Sequence, residues 1–198
     1  GGFDAFNARS VTGTVQVVDE RFQGAFAVKD PKFEGEIEVE ADAEKYTTRL
    51  RAERAKVEAV LAGLAIPVPV AGEARGTFEV SQRTTDPDAT VEGDFRAARL
   101  RFLDQTLSTV SGRLGWREGT LSLSGLRFDI RGGDVRGDAR LGLLDRRFDV
   151  DLAGRDIDLS ALAPKLQGRL GFALKGQGTF GKETAPGTFA LDDLLAGP

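Results

Sequence analysis

From Phe22 to Leu174, apolar side chains recur at every second position, and a β-strand is the conformation that puts alternate residues on one face. Phe22, Gly24, Phe26 and Val28 share a face. In the next segment Phe33, Gly35, Ile37, Val39 and Ala41 do so, with Glu34, Glu36, Glu38 and Glu40 opposite them. Each such segment has one dry and one wet side, as strands of an antiparallel sheet do. The same reading gives Tyr46, Thr48, Leu50 and Ala52, then Val70, Ala74, Phe78 and Val80 with Gly72 and Gly76 between them. Val91, Gly93, Phe95 and Ala97 follow, then Val110, Gly112, Leu114 and Trp116. Further rows are Val135, Gly137, Ala139, Leu141 and Leu143, then Phe148, Val150 and Leu152, then Leu170, Phe172, Leu174, Gly176 and Gly178, with Phe189 and Leu191 opening a final strand. The phase slips at Ala97-Ala98, ahead of Leu100 and Phe102. It slips again near Gly125, between Leu121 and Leu123 on one side and Leu126, Phe128 and Ile130 on the other. A slip of this kind marks a bulge or bend.

Turn residues fall between the rows at Asp30-Pro31, Arg117-Glu118-Gly119, Gly132-Gly133 and Leu144-Asp145-Arg146, with a longer break at Asp86-Pro87-Asp88. Connections this short predict an antiparallel meander and not βαβ units. Helical spacing is confined to residues 55–64, where Val57, Val60, Leu61 and Leu64 recur on one side, and to a single turn near 160–164 capped by Ser160. Short helices closing one end or edge of a sheet are expected.

The two halves correspond in order. Val11-Thr12-Gly13-Thr14-Val15 answers to Val110-Ser111-Gly112-Arg113-Leu114, Phe33-Glu34-Gly35-Glu36 to Val135-Arg136-Gly137-Asp138, and Tyr46 to Phe148. Ala74-Arg75-Gly76-Thr77-Phe78 answers to Gly176-Gln177-Gly178-Thr179-Phe180. This predicts a first β-repeat unit over 1–95 and a second over 96–198, joined as one continuous sheet. Multi-strand repeats that cannot close a core alone stack into elongated structures.

Composition removes several function classes. The chain has no cysteine and no histidine, so disulfide, thiolate and histidine-dependent chemistry are absent, and a zinc site or a serine triad lacks its parts. No catalytic residue, metal or cofactor is expected. The net charge is −4 with alternating signs, which argues against a nucleic-acid partner. No signal peptide is visible, and the apolar stretch over 60–72 is too short to span a bilayer and contains Pro67 and Pro69. The chain reads as an internal fragment of something longer, with any membrane anchor outside it.

Three local patterns admit chemistry. Gly176, Gly178 and Gly181 match the spacing of a dinucleotide fingerprint, but a turn follows them where that motif needs a helix; the glycines read as strand packing. The acid pairs Asp149/Asp151 and Asp156/Asp158 alternate with apolar residues and so lie on the wet face; Asp86/Asp88 and Asp192/Asp193 read likewise as solvated surface. Arg96, Arg99, Arg101 and Arg113 could form a patch for lipid headgroups or phosphates, but Asp94 and Asp104 dilute it and the set reads as ordinary surface.

The apolar rows remain. They are either the core of a sandwich or a groove lined by Phe26, Ile37, Val39, Leu50, Phe78, Phe95, Phe102, Leu114, Trp116, Leu123, Phe128, Leu141, Phe148, Val150, Leu170, Phe172 and Leu174. A groove would shelter acyl chains at about 0.8 kcal/mol per CH₂ without a specific polar contact.

The second half reads strand, turn, strand, Gly133-Asp134-Val135-Arg136-Gly137-Asp138-Ala139, strand, then Asp156-Ile157-Asp158-Leu159-Ser160-Ala161-Leu162-Ala163. It closes with Gly168-Arg169-Leu170-Gly171-Phe172-Ala173-Leu174-Lys175-Gly176-Gln177-Gly178-Thr179-Phe180 and Pro186. This run resembles the repeats of the TamB and AsmA-like family of bacterial envelope proteins, where a G-x-L-x-G strand is followed by D-x-D-L-x-x-L, then by G-x-L-x-x-x-x-x-G-x-G-T and a proline. The likeness covers most of the chain and is best over 110–186; residues 52–56 depart from it, with charged residues in place of the Asp-x-Asp-Leu run. The resemblance implies an all-β, elongated, curved half-pipe sheet with an apolar concave face. It also implies the periplasmic portion of an inner-membrane-anchored protein that carries phospholipid between membranes. The implied partners are a phospholipid or other acyl-chain ligand and an Omp85-type outer-membrane barrel. The alternative it implies is a scaffold for outer-membrane protein assembly by strand pairing.

Overall fold

The computed structural model describes residues 10–63, 68–86, 88–158, 160, 168–179 and 190–192. The described residues form one antiparallel sheet of twelve strands in which every strand pairs with its sequence neighbours. The strands are β1 (Ser10–Val18), β2 (Arg21–Lys29), β3 (Phe33–Ala41), β4 (Lys45–Lys56), β5 (Val70–Arg83), β6 (Thr90–Phe102), β7 (Gln105–Arg117), β8 (Thr120–Ile130), β9 (Gly133–Gly142), β10 (Arg147–Asp158), β11 (Arg169–Thr179) and β12 (Ala190–Asp192). The sheet is open, since β1 and β12 end the order without pairing to each other. Among the described residues one helix, α1 (Val57–Gly63), follows β4. The all-β antiparallel meander expected from the alternation is therefore the fold.

Tight turns make the meander. Asp19 and Glu20 between β1 and β2, Glu118 and Gly119 between β7 and β8, and Arg131 and Gly132 between β8 and β9 all have positive φ. Positive φ at both central residues is the geometry whose twist matches that of paired strands. The helical turn expected near 160–164 and the strand start at Phe189 fall outside the described residues, apart from Ser160; Leu191 lies in β12. Position 95/96 lies inside β6, and the sheet runs across it unbroken.

Register breaks lie at a similar height in several strands. They fall after Ala52 in β4, at Ala97-Ala98 in β6, around Thr109 in β7, at Gly125 in β8 and after Gly154 in β10. At each break two apolar-face residues stand three apart, as in Ala52/Ala55, Ala97/Leu100, Leu107/Val110, Leu123/Leu126 and Gly154/Ile157. The extra residues turn to the polar side. Thr109, Gly125 and Asp156 take positive φ there. A bulge bends its strand and increases local twist, so aligned bulges bend the sheet along one line.

Packing is concentrated beside that line. The buried apolar residues are Phe33, Ala52, Ala55, Ala97, Leu100, Val110, Leu121, Val135 and Ile157. Helix α1 covers part of them: Val60 packs on Phe33, Ala52 and Ala55, and Val57 on Ala97, Leu100 and Val110. The helix is tethered to β5 by the Gly72 N–H, which donates to the Glu58 carboxylate at 2.9 Å. No large side chain is fully enclosed among the described residues.

Candidate functional site

The strand register carries apolar side chains across the whole width of the sheet. One row reads Gly13, Phe26, Ile37, Leu50, Phe78, Gly93, Leu114, Leu123, Ala139, Val150 and Gly176, each the direct partner of the next. It contains no polar side chain. The row two residues along runs through Val15, Gly24, Val39, Thr48, Val80, Val91, Trp116, Leu121, Leu141, Phe148 and Gly178. On the other side of the first row, Phe95 stands opposite Gly76 and Gly112, and Leu152 joins Gly137 to Leu174. At the bulge line Phe172 faces Gly154, and beyond it Phe128 faces Val135 and Leu170 faces Ile157.

All the predicted lining residues therefore share one face, with Phe102 at its margin opposite Val70 and Gln105. Their exposure decides between sandwich core and open surface. Every one of them is half-buried except Phe102, which is 39% exposed; none is buried as a core residue would be. No second layer lies over the central rows among the described residues, and the only helix described there sits at the bulge line. Adjacent strands lie about 4.8 Å apart, so a row crossing eleven strands is about 48 Å long. Val80, Val91, Leu121, Leu126 and Leu152 belong to the same surface and were missing from the sequence-based lining, although the same alternation places them there.

Glycines shape this face as much as the large residues do. A Cβ at Gly93 would fall 2.5 Å from the Phe78 ring and 2.7 Å from the Phe78 backbone. Phe26 closes over Gly13 and Gly24, Phe78 also over Gly76, and Phe172 over Gly154. The rings lie along the sheet over cross-strand glycines and fill the space that side chains there would take. This explains why glycine recurs beside phenylalanine inside strands, where it is otherwise unfavourable. The second row holds a polar atom: the Thr48 hydroxyl, between Val39 and Val80, is buried with no hydrogen-bond partner among the described residues.

The other patterns resolve into structure. Gly176 and Gly178 lie within β11 opposite Val150 and Phe148, so no phosphate loop forms at them. Asp149 stands on the polar face between Arg140 and Gln177, and Asp151 pairs with Lys175 at 3.2 Å. Asp156 pairs with Arg169 at 3.3 Å. Asp158 accepts hydrogen bonds from the Ser160 hydroxyl and N–H, which hold its carboxyl below the usual range. Asp86 accepts the Asp88 N–H. No group of acidic residues is placed to hold a metal ion among the described residues. None of their helices is long and apolar enough to cross a membrane.

No protein-family model, no curated protein and no solved structure matches this chain.

Proposed function

We propose that the chain is part of a periplasmic conduit of the TamB and AsmA-like type. In this reading its apolar face shields phospholipid acyl chains on their way between inner and outer membranes. The supporting observation is a half-buried, uncharged surface that continues row after row across the sheet with no second layer above its centre. One leaflet of a bilayer is about 15 Å of hydrocarbon, so a row of about 48 Å accommodates an acyl chain with room to move along it. Burying methylenes supplies about 0.8 kcal/mol each, and a featureless apolar row holds a chain equally well at successive positions. In this reading the protein binds its lipid without transforming it and works with an Omp85-type outer-membrane barrel. Native mass spectrometry of the chain purified from a bacterial periplasm, with lipid extraction, tests this: phospholipid in near-stoichiometric amount is expected, and a lipid-free protein would count against the conduit.

A second reading has its own observation. β1 carries no charged residue, proline or bulge over its nine residues, is exposed throughout, and among the described residues ends the sheet with one side unpaired. Edge strands are ordinarily protected by such devices. An undefended edge suits strand addition, the mode by which a scaffold for outer-membrane proteins would hold its client. A photo-cross-linker at Thr12 should capture extended client segments, and a Thr14→Pro variant should not. Unchanged capture by that variant would remove this reading.

A further inference from the structure

The polar face is organised by charge complementarity between strands. Arg49 stands between Glu38 and Glu79, Arg51 opposite Glu36, Arg99 opposite Glu73, Arg113 opposite Asp94, Arg140 opposite Asp149, and Arg155 opposite Asp134. Like charges also meet as single pairs, at Lys45/Arg83, Glu79/Glu92, Asp129/Asp134 and Asp138/Asp151, and one row gathers several arginines. Arg75 stands directly opposite Arg96, Arg96 opposite Ser111, Ser111 opposite Arg127, and Arg127 opposite Arg136. Arg136 is relieved by Asp134 at 3.0 Å. Arg75, Arg96 and Arg127 make no ion pair or side-chain hydrogen bond among the described residues. Like charges directly opposite each other destabilise a sheet.

These three arginines line an open depression of about 1250 Å³ in the middle of the polar face. Its floor is the line of bulges, with Thr109, Ser111, Ser124 and Gly125 in the wall. Arg54 and Arg113 complete five arginines against the carboxylates of Glu53, Glu73 and Asp94, a local positive excess in a chain of net charge −4. Arg54 is engaged by Glu34 and Glu73, and Arg113 by Glu92. The free donors are therefore those of the row.

We propose that Arg75, Arg96 and Arg127 form a phosphate-binding site for phosphate monoester or pyrophosphate groups. Directly opposed residues have Cα atoms about 5 Å apart, so the Arg75 and Arg96 guanidinium groups can close on one dianion, each with a two-pronged donor set. A carboxylate is satisfied by a single such fork; a doubly charged phosphate takes both. Arg127 lies two strands from Arg96, about 10 Å away, where it reaches a second phosphate, with the Ser111 hydroxyl between them. The site lies on the opposite side of the sheet from the apolar rows, so it is separate from any lipid whose chains lie along them. It stands whether or not the conduit reading does.

The test uses inorganic pyrophosphate as a soluble probe, and vesicles of phosphatidylcholine with and without phosphatidic acid as the membrane-borne source of the same group. Pyrophosphate is expected to raise the melting temperature of the wild-type chain and of Arg140→Gln, a control on the same face. Calorimetric affinity should fall about tenfold in Arg96→Gln and further in Arg75→Gln/Arg127→Gln. It should also weaken with added salt. Without ligand, Arg96→Gln should melt no lower than wild type, because it removes a cation from an opposed pair; a clear loss would mark the arginine as structural and overturn the site. Flotation with phosphatidic acid vesicles that the row variants abolish would assign the phosphate to a membrane surface, and calorimetric binding alone to a soluble ligand. Binding to neither, equal binding by the row variants, or preference for a single-stranded oligonucleotide over pyrophosphate would refute the proposal.

Discussion

Leu114→Asp places a charge in the middle of the apolar face. Leu114 is half-buried between Gly93 and Leu123 in the row that crosses the sheet. Full burial of a leucine is worth about 1.5–3 kcal/mol, so losing a half-buried one costs the fold about 1 kcal/mol, and the new carboxylate keeps its water. Domains of this size have about 5–15 kcal/mol to lose, so the variant should fold. An acyl chain crossing the site fares worse. It must leave the hydrated carboxylate clear and gives up the burial of about four methylenes, or about 3 kcal/mol. That corresponds to about two orders of magnitude in affinity. The assay is lipid retention by native mass spectrometry, with circular dichroism as the fold control and Thr77→Asp on the polar face as the charge control. Phe128→Asp and Phe172→Asp are less discriminating: Phe128 packs on the buried cluster of Ala97, Leu100 and Val110, and Phe172 fills the space over Gly154. A folded Leu114→Asp protein with undiminished lipid would refute the reasoning.

Thr48→Val replaces a buried unpartnered hydroxyl with a methyl in an apolar row and should stabilise the chain by about 1 kcal/mol in urea unfolding, without loss of lipid retention. Gly93→Val should destabilise by about 1–3 kcal/mol, because its side chain occupies the space of the Phe78 ring and backbone. Glu58 is held below its ordinary pKa, first by the Gly72 N–H it accepts. A depressed carboxyl contributes stability above its unfolded value of 4.5 that is lost as pH falls through the folded value. Docking of α1 should thus weaken below about pH 4.5, read as faster amide exchange at Gly72, and Glu58→Gln should show the weaker state at neutral pH.

The strands and the dry face were legible because a period of two survives in almost every segment, and the face was assigned correctly even where glycine replaced a large residue. Bulges were legible where the apolar spacing visibly changes from two to three, as at Ala97/Leu100 and Leu123/Leu126. They were missed at Ala52/Ala55 and Gly154/Ile157, where alanine or glycine gives a weak apolar signal and charged residues fill the bulge. Those two breaks lie at corresponding places in β4 and β10, so residues 52–56 occupy a bulged strand end as residues 154–158 do. Whether the dry face closed on itself was not legible: alternation fixes which residues share a side and says nothing of what covers it. The arginine row was equally hidden. Arg75 and Arg96 are opposed only through the β5–β6 register, which alternation along a single strand does not fix.

Trp116 gives the most direct measurement. It is the single tryptophan of the chain and stands on the apolar face between Val91 and Leu121. Phosphatidylcholine carrying a bromine or nitroxide quencher deep in its acyl chain should quench Trp116 fluorescence strongly. The same lipid labelled on its headgroup should quench weakly, and Leu114→Asp should abolish the acyl-chain effect. Quenching absent for the acyl label, or equal for both labels and unchanged by Leu114→Asp, would contradict an acyl-chain surface on this face.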